Sequence, residues 1–280
     1  LIINGPATAD YDEDLGAVFL SDWSHIPVTQ LWDTAKLGAP PMLENGLING
    51  TNTFDCSDST DANCIGGGKK FETVFEAGKK YRLRLVNSAV DGHFQFSIDG
   101  HSLTVIANDL VPIVPFTTDS LLISIGQRYD VIVEATQASG DYWLRSGWVT
   151  ACSTNANAAN ITGIVRYDNS STADPTSTST VTASTSCGDE PVASLVPHLA
   201  MDVGTFATSA VNEGSLSFAF TDYFHWTLND SSLLLDWSDP TTLKIFNNDT
   251  IWPTDYNVVP LSVSDTEWAV YVIEDNTGIG

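Results

Sequence analysis

"KKYRLRLVNSAVDGHFQFSIDGH", Lys79 to His101, places apolar side chains at alternate positions in two successive runs, and that two-residue period decides the fold class. Tyr81, Leu83 and Leu85 share one face of the first run; Phe94, Phe96 and Ile98 share one face of the second. Side chains of a strand point alternately to opposite faces, so each run reads as a strand with one apolar and one wet face. Asp99-Gly100 is the dipeptide that most readily takes the positive dihedrals of a tight hairpin turn, so a hairpin is expected there. "QRYDVIVEA", Gln127 to Ala135, repeats the pattern with Tyr129, Val131 and Val133. Strands at roughly 8–12-residue spacing predict an all-β sandwich or barrel. Helical signal is weak; the best short-helix candidate is "SHIPVTQLWDTAKLG", Ser24 to Gly38, with Gly38 as its stop.

Outside that stretch, composition bounds the answer. With 280 residues and 42% hydrophobic content, the chain can bury a sizeable core as one large domain or two ordinary ones. Thirty-five acidic against eleven basic residues give a formal charge of -24, a field that repels phosphate backbones and anionic lipid headgroups. Nucleic acid and membrane surfaces are therefore not expected partners. No run of about eighteen apolar residues exists to span a bilayer. The chain opens on "LIINGPA" and stops at "NTGIG" just after the apolar "EWAVYVIED", which reads as a segment of a mature protein.

Four cysteines form a close pair, Cys56 and Cys64, and a distant pair, Cys152 and Cys187; neither has C-x-x-C or C-x-x-C-H spacing, so disulfides fit better than zinc or haem. N-x-[ST] sequons at Asn49, Asn160, Asn169, Asn229 and Asn248 point the same way, since glycosylation belongs to the secretory path. A secreted, extracellular protein is expected. Between Asn169 and Ser186, "NSSTADPTSTSTVTASTS" has too little apolar content to offset its own ordering, and it reads as a linker.

The familiar catalytic constellations are missing. His25, His93, His101, His198 and His225 show no H-x-H, H-x-x-H or H-E-x-x-H spacing, so no metal pair is visible. His93 falls with Gln95 and Ser97 on the polar face of its strand, as a solvated or hydrogen-bonded side chain. There is no G-x-S-x-G elbow, and "GGGKKF" lacks the hydroxyl residue of a phosphate loop, leaving it a flexible loop beside Cys64. Acids are too numerous for spacing to nominate a glycosidase pair.

One ordered combination is more specific: "LIINGPATADYDEDLG", "LGAPPMLENGLINGTNTFDC", "YRLRLVNSAVDGHFQFSIDGHSLTVIANDLVPI", "TTDSLLISIGQRYDVIVEA", "GDYWLRSGW" and "FHWTLNDSSLLLDW". Together, over essentially the whole chain, they resemble the ascomycete laccases, fungal three-domain multicopper oxidases. The resemblance implies cupredoxin-like Greek-key β-sandwiches: residues 1–12 the tail of a first domain, 13–168 a second, 169–198 a Ser/Thr-rich linker and 199–280 the opening part of a third. That family holds four coppers on H-x-H and H-C-H-type motifs. None occurs here, so the copper ligands are expected outside this chain, which alone should hold no catalytic copper and be inactive.

What the resemblance places inside the chain is a substrate pocket. The family's acidic residue lands on Asp91, as acceptor of the proton that a phenol sheds on losing an electron. Its A-P-P turn lands on Ala39 and Pro40, and its apolar wall on Leu216, Phe224 and Trp226. Without the resemblance, Asp91 is one of thirty-five solvated acids, and Phe224 and Trp226 are ordinary strand packing. The resemblance further implies a Cys152–Cys187 disulfide, with Cys56–Cys64 as the second pairing. The complete protein would be a monomeric oxidase taking small phenols and dioxygen. A bilirubin, ascorbate or ferrous-iron oxidase, and a non-catalytic secreted β-sandwich binding module, are the alternatives.

Overall fold

The computed structural model describes residues 2–38, 42–57, 59, 64–202, 212–220, 224–228, 232, 236–249, 251–256, 258 and 271–275. The chain divides into two compact units, residues 1–27 with 42–200 and residues 28–41 with 201–280. The strands of the first unit are β1 (Glu13–Trp23), β2 (Asn45–Ile48), β3 (Thr53–Phe54), β4 (Gly67–Gly68), β5 (Phe71–Val74), β6 (Lys80–Asn87), β7 (Phe94–Ile98), β8 (Leu103–Asn108), β9 (Val111–Thr118), β10 (Leu121–Ile123), β11 (Arg128–Glu134), β12 (Asp141–Trp148) and β13 (Thr162–Arg166). They form a six-stranded sheet, β2-β1-β6-β11-β8-β9, a five-stranded sheet, β10-β7-β12-β13-β5, and the small pair β3-β4.

The alternation read from sequence is the core. Tyr81, Leu83 and Leu85 of β6 and Tyr129, Val131 and Val133 of β11 are buried on the larger sheet, and Phe94, Phe96 and Ile98 of β7 on the smaller. The expected wet faces are not wet. Arg82 and Arg84, on the other face of β6, are also buried. Arg82 pairs with Asp130 under the Tyr11 ring, and Arg84 bonds Asp14 through its Nε at 3.1 Å. Gly16, at a φ of +78°, lets β1 bulge between Asp14 and Ala17, and its N–H bonds the Asp14 carboxylate at 2.9 Å. A second layer of paired charge thus covers what alternation alone marks as solvent-facing.

The expected hairpin is corrected as well. The tight turn at Asp99-Gly100 exists: Ile98 bridges to His101, the His101 N–H bonds the Ile98 carbonyl at 3.0 Å, and Gly100 takes a φ of +72°. However, β7 pairs with β10 and β12, whereas β8 pairs with β9 and β11, so the turn carries the chain from one sheet to the other. Turn chemistry fixes the reversal of four residues; the burial pattern of each strand chooses its neighbours.

Residues 169–198, read as a linker unable to offset its ordering, lie along the first unit. Gln95 bonds the Thr182 carbonyl at 3.2 Å and the Ser184 N–H at 3.0 Å; Ser177 bonds Asp99 at 2.8 Å and the Trp143 N–H at 3.0 Å. Val114 N–H bonds the Val196 carbonyl at 2.8 Å, and Glu190 accepts the Leu122 N–H at 2.7 Å. Hydroxyls and amides do here what apolar burial does elsewhere, on a polar sheet face that needs partners. Cys152–Cys187 ties this strap down, and Cys56–Cys64 closes its own short loop, both pairings as expected. Serine at both Cys152 and Cys187 should cost about 3–4 kcal/mol in the chain-entropy account of a loop this long. Urea unfolding of the 280-residue chain measures it; a loss under about 1 kcal/mol would show that the hydrogen bonds alone hold the strap.

In the second unit, helix α1 (Val28–Ala35) forms where the sequence places it. It stops at Ala35, and the turn that follows closes at Gly38, which takes a φ of +93° and donates its N–H to the Ala35 carbonyl at 2.9 Å. A three-stranded sheet has β14 (Asn212–Phe220) between antiparallel β15 (Phe224–Leu228) and parallel β16 (Tyr271–Asp275), and a short helix α2 spans Thr241–Phe246.

Candidate functional site

The loop from Ser88 to His93, between β6 and β7, carries Asp91 and is clamped from two sides. The first clamp is Asn87, buried at the end of β6. Its amide donates to the Gly92 carbonyl at 2.7 Å and to the Ile123 carbonyl at 2.8 Å, while its oxygen accepts the Ala89 N–H at 2.9 Å. The second is Asp22, near the end of β1. One of its carboxylate oxygens accepts three successive backbone N–H groups, from Val90 at 3.0 Å, Asp91 at 2.7 Å and Gly92 at 3.0 Å. Three consecutive amides turned toward one carboxylate make a nest, and the loop backbone has little freedom left.

Gly92 sets how deep the loop lies. A Cβ there would come within 2.8 Å of the Phe94 ring and 2.9 Å of the Trp148 ring, so only glycine rests on that edge-to-face pair, whose centroids are 5.6 Å apart. The Trp148 indole N–H bonds the Ser153 carbonyl at 3.0 Å, and the Ser153 hydroxyl reaches the Asp91 carbonyl at 3.4 Å. Asp91 itself is half-buried. Burial pushes its carboxyl above the ordinary aspartate range, the Ser153 hydroxyl pulls it down, and the like charge of Asp22 pushes it up again. The net direction is up.

The two histidines of the opening stretch are buried, and of the two states expected for His93 the hydrogen-bonded one holds. His93 meets the Ser124 hydroxyl at 3.2 Å through Nδ1, and its Nε2 is buried without a partner. His101 is held by the Asp99 carbonyl at 2.8 Å and the Tyr167 hydroxyl at 2.7 Å, inside a cluster of Phe75, Tyr142 and Tyr167 rings. Burial depresses both imidazoles below the usual histidine range. Among the described residues, the one meeting of three potential metal ligands is His93 with Cys152 and Cys187, within 4.8 Å of one another. Both sulfurs are committed to the disulfide, which leaves no thiolate to offer.

The remaining expected site residues belong to the second unit. Ala39 and Pro40 lie outside the described residues. Leu216 stands on β14 opposite Leu228, while Phe224 and Trp226 stand on β15 opposite Phe220 and Phe218. By register all three share one face of that sheet. Of the sequon asparagines, Asn49, Asn160, Asn169 and Asn248 are exposed, and Asn229 lies outside the described residues.

Sequence reasoning missed Asp22, Asn87 and Ser153. Asn87 carries a faint signal, an Asn closing a strand before Ser88, the kind of residue that caps a turn with its own side chain. Asp22 sits 69 positions from Asp91 and carries no signal.

The multicopper oxidase family profile matches residues 15–170. The chain is 69% identical over 282 residues to Laccase-2 of Botryotinia fuckeliana, covering 100% of this chain and 48% of that protein. To Laccase-1 of the same fungus it is 57% identical over 281 residues, covering 99% of this chain and 47% of that protein. The crystal structure of a laccase from Botrytis aclada superposes with a TM-score of 0.88 at 67% identity, over 100% of this chain and 51% of that one. The chain thus spans about half the length of the relatives it matches.

Proposed function

Because the chain belongs to the multicopper oxidase family, we propose that it is the part of a phenol-oxidising enzyme that receives the substrate's proton, with Asp91 as the acceptor. The observation that carries this is one half-buried carboxyl, raised above its ordinary range, on a backbone fixed by Asp22 and Asn87. Its similarity to proteins named laccases supports the same reading.

A phenol that gives up one electron becomes a strong acid. The radical cation then sheds its hydroxyl proton, and a carboxylate held at that oxygen takes it as the neutral phenoxyl radical forms. Raising the pKa of the acceptor strengthens it as a base, provided the pH keeps it ionised. The apolar contacts for the ring are proposed to come from Ala39, Pro40, Leu216, Phe224 and Trp226, and dioxygen is the proposed final acceptor of the electrons.

Family membership implies copper. Among the described residues the donors do not fit such a site, because the two sulfurs that meet an imidazole are bonded to each other. The role assigned to this chain is therefore the proton's, and the four coppers of the complete enzyme are proposed to use ligands beyond these residues. Two disulfides and four exposed sequon asparagines support secretion. The charge of -24 supports a monomer without nucleic-acid or membrane partners.

The pH dependence tests the assignment in the complete enzyme. Asp91 accepts a proton only when ionised, so phenol turnover should climb in a sigmoidal limb as pH rises through its raised pKa. A donor that yields an electron and no proton, such as a ferrocyanide complex, should lack that limb. The same limb for both donors would remove Asp91 from the role.

A further inference from the structure

The Asp22 carboxylate bonds three successive amides of the Asp91 loop, at 3.0, 2.7 and 3.0 Å. Its second oxygen also reaches the Val90 N–H, at 3.3 Å. The aspartate is built into the larger sheet: it lies on β1, its backbone in register with Gly46 of β2, one position from the strand's end. Two acids placed this close repel. A fold that needed only three satisfied amides could use a neutral asparagine or serine oxygen there, and a charged one has a second consequence at Asp91.

We propose that Asp22 is a positioning residue of the site, acting only through Asp91: its carboxylate fixes the Val90–Gly92 backbone that presents the Asp91 carboxyl, and its charge sets how readily that carboxyl holds a proton. This rests on the reading of Asp91 as the proton acceptor. Among the described residues, two side chains act on Asp91 directly. Asp22 faces it from β1, and the Ser153 hydroxyl faces it from the turn after β12. His93, two residues on, is engaged with Ser124, whose hydroxyl also bonds Asp189.

The two halves of the proposal separate by substitution. Asp22→Asn keeps an oxygen for the three amides and removes the charge, so the loop stays and Asp91 ionises at lower pH. The acid limb of phenol turnover should then move to lower pH with the plateau rate kept. Asp22→Ala releases the backbone as well, and misplacement of a reacting group by about 1 Å costs on the order of 10²-fold in rate. The loss should appear in kcat for phenols and leave the ferrocyanide rate unchanged. Both variants are compared, in the complete enzyme, with Asp91→Asn. If Asp91→Asn fails to separate the two donors, the proton-acceptor reading itself falls. If it separates them, but the Asp22→Asn profile overlays that of the natural protein, the electrostatic half is overturned. Should Asp22→Ala retain full phenol turnover, the positioning half is overturned; should it not fold, the Asp22→Asn profile still decides.

Discussion

If Asp91 is the proton acceptor proposed above, alanine in its place should lower kcat/KM of the complete enzyme for phenols by about 10²–10⁴-fold, the range that a positioned general base contributes, and should leave oxidation of an electron-only donor near its natural rate. The decrease should fall on kcat more than on KM, because in that role the carboxylate matters most as the proton moves. Stability offers no competing explanation. A carboxyl whose folded pKa is raised contributes stability that is fully present below its unfolded pKa and lost as pH rises through the folded one. Once ionised, Asp91 is thus a burden on the fold, and at a pH where it is ionised its removal should leave the thermal midpoint equal or higher. Steady-state kinetics with both donors, beside a melting curve, check the two halves together. Equal losses for phenol and ferrocyanide would mean that Asp91 serves the architecture and not the proton.

What could be read from sequence, and what could not, divides along a physical line. Burial of Tyr81, Leu83, Leu85, Phe94, Phe96 and Ile98 follows from a local period, and helix α1, with Gly38 in the turn after it, follows from local signals as well. Partner choice does not. The Asp99-Gly100 dipeptide specifies a reversal but carries nothing about β10 and β12 taking both edges of β7, so a step between sheets looks like a hairpin. The strap shows the same limit. Its Ser/Thr composition excludes apolar burial, yet its order comes from hydroxyls and carbonyls that meet Gln95, Asp99 and Trp143 over separations of 34 to 89 residues. At the site, Asp91 was reachable only because a family pattern singled it out among thirty-five acids. Asp22 belonged to no pattern, and only folding brings its oxygens to three amides.

Arg145→Met should destabilise the 280-residue chain by about 3–5 kcal/mol, the usual cost of removing one partner from a buried ion pair. The Asp99 side chain is 1% exposed, and Arg145 holds it in a two-pronged grip, Nε to Oδ1 and Nη2 to Oδ2, both at 2.7 Å. Without the guanidinium, the carboxylate keeps one side-chain donor among the described residues, the Ser177 hydroxyl at 2.8 Å. Methionine fills much of the arginine's stem volume, so the loss reports the stranded charge more than a cavity. The effect reaches beyond the pair, since Ser177 also takes the Trp143 N–H and Asp99 begins the turn that changes sheets. A double-mutant cycle separates these contributions: Asp99→Asn in the Arg145→Met background removes the unpaired charge and should recover part of the loss. Urea unfolding of the natural chain, the two single variants and the double variant gives the coupling directly. If Arg145→Met costs less than about 1 kcal/mol, as an exposed pair would, the charge at Asp99 is being met by solvent.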